Sequence, residues 1–218
     1  MSADLTAGKG RCHGTALLLV RPVQAAIELG AGGDVVAKVL NAVHHANRHG
    51  NEDDFVAVAL PGMQMTRIGM VAGHDVTMFG SEESLAAVLN LDGIKLLQRR
   101  GMVRDLVTEE AWCDAGSTGS AWVRDRTCEK YTAGWLRRSQ ARAARRGKPL
   151  GKLSPTRGFP TDLLTLTYGT TPVHLREVIG TVSGVPLMVS TYGFSSPGAA
   201  AVLPVQSLMA ERRNADAA

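Results

Sequence analysis

Apolar and polar residues recur along the chain with two distinct periods. Residues 15–21 (TALLLVR) form a short apolar run closed by Pro22, the mark of a buried strand. Val35, Val36, Val39, Leu40 and Val43 then repeat at helical spacing, the pattern fades at Gly50, and Asp34 is placed to cap the helix. Residues 54–60 (DFVAVAL) alternate with period two and stop at Pro61-Gly62, and residues 66–71 read as another strand. Ser81 is placed as the N-cap of a second helix over 81–89, with Glu82 and Glu83 near the positive end of its dipole. Residues 94–103 read as a returning strand. The order β-α-β-β-α-β over 15–106 predicts an α+β protein whose first domain, residues 1–112, is ferredoxin-like, one sheet with both helices on one face.

A polar, Gly-, Ser- and Thr-rich stretch at 113–120 marks the boundary of a smaller C-terminal domain, residues 113–206, with an Arg-rich helix and a short β-sheet. Ala, Leu, Arg and Gln favour helix over 133–146, and Gly147 suits the position just past its end. A linker over 147–160 follows, then strands at 163–168 and 173–179 joined through Gly169, Thr170, Thr171 and Pro172. A last strand over 185–192 ends in YGFSSPG, and residues 207–218, without apolar periodicity, are expected to form a disordered tail.

With 218 residues and 44% hydrophobic content the chain can bury a sizeable core. Its net charge is only +4, yet residues 124–152 hold ten cations (Arg124, Arg126, Lys130, Arg137, Arg138, Arg142, Arg145, Arg146, Lys148 and Lys152) against Asp125 and Glu129. That segment is therefore +8 and the remainder −4, the distribution of a dedicated anion-binding surface whose usual partner is nucleic acid. A solvated helix laced with its own ion pairs would need more acids at helical spacing. Cys12, Cys113 and Cys128 lack the spacing of a zinc site or disulfide framework, and no cofactor is expected. No run reaches the roughly 18 apolar residues of a membrane helix, and the polar start is unlike a signal peptide, so a cytoplasmic protein with reduced thiols is expected.

On a helical wheel Arg138, Arg142 and Arg145 fall within about 60° of one another, with Arg146 beside them. Guanidinium groups in such a stripe match a line of phosphates, and each planar fork also fits a guanine edge. Because the RNA major groove is deep and narrow, a helix reading RNA needs a groove opened at the end or loop of a hairpin, so a short stem-loop is the expected ligand. Trp122, Tyr131 and Trp135 flank the basic positions as base-stacking candidates or as core anchors. A duplex DNA-binding protein is the alternative that the basic helix alone would allow.

The run LLLVRP, the sequence Val43-His44-His45-Ala46-Asn47, the pair Leu60-Pro61, Arg126-Thr127-Cys128 followed by clustered arginines, and the closing Tyr192-Gly-Phe-Ser with Gly198 and Pro204 are similar to motifs of the repeat-processing endoribonucleases of type I-F CRISPR systems. The similarity extends over about residues 15–206, and the closing motif is its most distinctive part. It implies a hydrolase of antiviral defence that cleaves precursor CRISPR RNA at a repeat hairpin without metal, by attack of a ribose 2′-OH on the adjacent phosphate. It also implies an enzyme that stays on the mature CRISPR RNA as a subunit of a surveillance complex, meeting target DNA only through that complex.

Such chemistry needs a base and a proton donor, roles suited to imidazole near neutral pH. His44, at the margin of the helix's apolar face, is the favoured candidate, with His45 the alternative. The resemblance brings Tyr192 to the scissile phosphate and puts Tyr168 where the family has a serine, so a hydroxyl from Tyr168, Thr170 or Thr171 would have to assist. Leu175 replaces a stacking aromatic of the family and Cys128 a glutamine, while Arg176 remains a phosphate contact at the cleavage end. The serine replacement leaves open a hairpin-binding subunit that cuts slowly or not at all.

Overall fold

A computed structural model describes residues 8–67, 69–104, 106, 108–111, 116–125, 133–147, 163–168, 171–182, 184–196 and 198–204. It begins with β1 (Lys9–Cys12) and β2 (Ala16–Val20), the predicted apolar run. A short α1 (Gln24–Glu28) leads into α2 (Gly32–His49), which buries Val35, Val36, Val39, Leu40 and Val43 as their spacing predicts. Its N-cap is Ala31 rather than Asp34. The helix starts earlier than expected, so Asp34 lies in the first turn and meets the positive end of the dipole from there.

Three strand expectations are corrected next. The strand expected over 54–60 shortens to β3 (Ala57–Ala59), because Val56 is bound by a side chain instead of a neighbouring strand. Asn47 donates its amide N–H to the Val56 carbonyl at 2.9 Å and accepts the Val56 N–H at 2.8 Å. The strand expected over 66–71 is a hairpin, β4 (Gln64–Thr66) and β5 (Gly69–Val71), since Gly69 adopts φ 121° and allows the chain to reverse. β6 (Val76–Gly80), wholly buried, is a strand the sequence reading omits. Ser81 caps α3 (Glu82–Leu89) as expected, accepting the Ser84 N–H at 3.0 Å. The region 94–103 is not a strand: α4 (Asp92–Arg99) buries Ile94 and Leu97, three residues apart on one helical face, and Gly101 at φ 60° ends it. The last strand of this half is β7 (Thr108–Glu110).

These strands form one antiparallel sheet in the order β3-β6-β2-β7. Helices α2, α3 and α4 pack on one another, and α3 lies on β2 and β6. The chain continues through β8 (Thr118–Arg124), α5 (Ala133–Arg145), β9 (Leu164–Tyr168), β10 (Thr171–Thr181) and β11 (Leu187–Ser190). An antiparallel sheet is ordered β8-β10-β9, and β11 pairs with β1, so the end of the described chain returns to its beginning. The strand expected over 185–192 stops at Ser190, because residues 190–194 close a turn with Gly193 at φ 78°.

The architecture is mixed α+β, with several antiparallel sheets and five helices among the described residues. Trp122, Leu164, Val173 and Leu175 share one apolar core with Val39, Val43, Met78 and Leu85 from the first half. The expected boundary at 113, most of the linker and the expected tail at 207–218 lie outside the described residues. Among the described residues no helix is long and apolar enough to cross a membrane.

Candidate functional site

The last turns of α2 are held from two sides. Val43 is fully buried, and the buried amide of Asn47 grips the backbone of Val56. Between them His44 emerges half-buried, its ring stacked on that of Tyr192 with centroids 4.2 Å apart and planes 3° from parallel. Nδ1 of His44 lies 3.2 Å from the carbonyl oxygen of Thr191. A carbonyl can only accept, so Nδ1 carries the hydrogen and Nε2 is the basic nitrogen of the neutral ring. Burial holds the His44 pKa below the ordinary imidazole value; the bond to Thr191 opposes that, and the charges of Arg48, His45 and His49 add to it.

Tyr192 owes its place to a tight turn. Gly193 donates to the Ser190 carbonyl at 2.8 Å, Ser190 donates to the Phe194 carbonyl at 2.9 Å, and Val58 donates to the Gly193 carbonyl at 2.8 Å, which ties the turn to β3. A Cβ at position 193 would stand 2.6 Å from Cγ2 of Val58 and 3.0 Å from the Val56 carbonyl, so glycine is required both by its positive φ and by space. Phe194 is buried and anchors the far side.

Arg124 brings a permanent cation to the pair. Its Cζ lies 5.2 Å from the centroid of the Tyr192 ring, within cation–π range. Along β8, Trp122 enters the main core while Ala121 joins a smaller cluster with Val182 and Val202, so Arg124, two residues after Trp122, rises on the main-core side. The segment after the turn reinforces this, since Arg124 donates to the Ser195 carbonyl and Ser195 to that of Trp122. Segments 80 and 68 residues apart in sequence, at His44, Arg124 and Tyr192, thus meet at one spot.

Other candidates are placed differently. Tyr168 and Thr171 are register partners where β9 ends and β10 begins, and β9 packs against α2; Thr170 lies outside the described residues. Arg176 pairs in register with Val123, one position from the Leu175–Arg124 pair, so it projects from the other face of the sheet, and its Nη2 lies 3.6 Å from Oδ2 of Asp125. On α5, Trp135, Leu136, Ser139 and Ala143 are half-buried, and Arg137, Arg138, Arg142 and Arg145 are exposed, as is Arg146 just beyond. The side chains of Arg142 and Arg145 lean back so that each Nε donates to a carbonyl one turn earlier, at 3.4 Å. Arg126, Lys130 and Tyr131 lie outside the described residues. Trp122 is 1% exposed and is core rather than a stacking platform. His45, the alternative base, is exposed and touches His49 instead of Tyr192.

Two contributors were not singled out from sequence. Asn47 continues the apolar spacing of Leu40 and Val43, and a polar residue at a buried helical position is the signal for a specific hydrogen-bonding task. Thr191 acts only through its backbone carbonyl, which residue type does not reveal. No protein-family model matches this chain, and no curated protein is significantly similar to it.

Proposed function

We propose that this protein is a metal-independent endoribonuclease that holds an RNA hairpin against α5 and cuts the strand beside it at His44. The observation that carries the reading is the imidazole of His44, with Nδ1 on the Thr191 carbonyl, stacked on the Tyr192 ring that Arg124 also approaches. In this mechanism Nε2 of His44 accepts the proton of a ribose 2′-OH as that oxygen attacks the adjacent phosphorus. The bond from phosphorus to the 5′-oxygen breaks, a 2′,3′-cyclic phosphate stays on the upstream fragment, and the proton returns to the departing 5′-oxygen. The Tyr192 hydroxyl donates to the phosphate, and the guanidinium of Arg124 supplies positive charge where negative charge builds up.

The resemblance to type I-F repeat-processing enzymes supports a CRISPR repeat hairpin as substrate and a cytoplasmic surveillance complex as the destination of the product. The strand order of the first sheet, fourth-first-third-second with every neighbour antiparallel, supports a ferredoxin-like reading of that half, with the β4–β5 hairpin and α4 as additions. No cofactor enters the reaction as written.

The deciding experiment incubates purified protein with a type I-F repeat hairpin RNA in EDTA. Cleavage to a cyclic phosphate, abolished in His44→Ala, is expected. Cutting that survives the substitution, or that needs added metal, overturns the mechanism. Tyr168 at the family's serine position favours one second reading, a subunit that binds the hairpin and cuts slowly or not at all, and tight binding to RNA left intact would select it.

A further inference from the structure

The last turn of α2 carries more cationic and hydrogen-donating groups than the cleavage step uses. Between Asp34 and Glu52 the chain has no acidic residue, while His44, His45, Arg48 and His49 follow one another in its last third. At helical spacing His44 neighbours Arg48 and His45 neighbours His49, so two adjacent i, i+4 pairs cover one patch. His45, Arg48 and His49 are exposed, and the rings of His45 and His49 touch, with centroids 4.6 Å apart. Arg48, His45 and His49 are all near enough to His44 for their charges to act on it.

We infer that His45, Arg48 and His49 form a second phosphate-contacting patch, which takes the unpaired RNA strand beyond the scissile phosphate from the hairpin. This rests on the nuclease reading above. In that reaction α5 holds the hairpin, and the strand on the other side of the broken bond leaves from beside His44. Its first phosphates therefore start within reach of the exposed donors about one helical turn from His44. One helical turn away stands Arg48, whose planar fork suits a phosphate, and the exposed imidazoles of His45 and His49 beside it can donate to the next. Cations at a helix C-terminus also complement the dipole, which accounts for Arg48 and His49 but asks nothing of His45.

The test uses two RNAs with the same repeat hairpin, each carrying a 2′-deoxy sugar at the attacking nucleotide so that neither is cut. One ends a single nucleotide past the scissile phosphate, and the other continues in a short run of uridines. Wild-type protein should bind the longer RNA about three- to tenfold more tightly at low salt, with a salt dependence steeper by about two, as three single-strand phosphate contacts give. The variant His45→Gln/Arg48→Gln/His49→Gln should lose that preference while binding the shorter RNA within about twofold of wild type. Arg48→Gln alone, a milder change, should lose part of it, and thermal melts would establish that both variants fold. Equal wild-type affinity for the two RNAs, or equal weakening of both in the variants, overturns the patch alone. Failure of wild-type protein to bind either RNA overturns the nuclease reading and the patch with it.

Discussion

The His44 site and helix α5 carry the two halves of the proposed task, and they are built in opposite ways. His44, Tyr192 and Arg124 come from three remote segments and are fixed by backbone hydrogen bonds, a buried amide and a glycine that no other residue can replace. The arginines of α5 come from one local segment and stand exposed, and Arg142 and Arg145 bond back to carbonyls of their own helix. Bond-making chemistry needs atoms placed within fractions of an ångström, which only convergent tertiary contacts provide. Attraction to a phosphate backbone needs charge density, which one helix supplies. Substitutions should therefore separate the two functions.

The largest effect is expected at His44. His44→Ala should lower the single-turnover cleavage rate by about 10²–10⁴-fold, the usual worth of a positioned acid–base group, while hairpin affinity stays within about twofold. A parallel loss of binding would mean that the site and the binding surface are not separable.

Next is Asn47, which sharpens the contrast between a supported and an unsupported side chain. Asn47→Ala leaves the buried N–H and carbonyl of Val56 without their partner and should cost about 3 kcal/mol in urea unfolding. Arg142→Ala on α5 should change stability by less than about 0.5 kcal/mol, as exposed positions do. Comparable losses at the two positions would contradict the difference in support.

The same contrast explains what could be read from sequence. The basic helix was legible because charge, helix propensity and the Gly147 stop all lie within one window, and α2 and α3 because their apolar spacing and the Ser81 cap are local. His44 was legible as a residue at the margin of an apolar face, but its stack with Tyr192 and its carbonyl partner are tertiary facts. Region 94–103 was misread because Ile94, Leu96 and Leu97 suit either period, and the buried face shared by Ile94 and Leu97 emerges only when α2 packs on it. β6 went unread because VTMFG is short and runs from a glycine-containing turn directly into the Ser81 cap of α3. Arg176 was assigned to the cleavage end although strand parity turns it to the other face, and parity depends on a register that sequence alone does not fix.

A third expected effect lies on the binding side. Arg138→Glu/Arg142→Glu should weaken hairpin binding about 10- to 100-fold at low ionic strength and reduce the salt dependence by about two contacts' worth. Cleavage of RNA already bound, measured at saturating protein, should be unchanged. Unaltered affinity would remove α5 from the interface, and a slowed chemical step would tie α5 to the site.

The smallest effect, and the one that divides the two regions most directly, is on pH. Burial, helped by Arg48, His45 and His49 and opposed by the Thr191 carbonyl, keeps His44 unprotonated below its ordinary value near 6.5. The acid limb of kcat/KM, which reports the RNA-free protein, should therefore have its midpoint below pH 6.5. Removing one of those cations, in Arg48→Gln, should move the limb upward. Because the folded pKa is lower than the unfolded one, the unfolded chain binds more protons in this range. The contribution of His44 to stability is thus whole above about pH 6.5 and is lost as pH falls from there through the lowered folded pKa. The guanidinium groups of α5 keep their charge throughout, so they impose no matching limb on hairpin affinity. A rate profile with its midpoint above 6.5, or one unmoved by Arg48→Gln, would mean that the titrating group in the reaction is not the imidazole stacked on Tyr192.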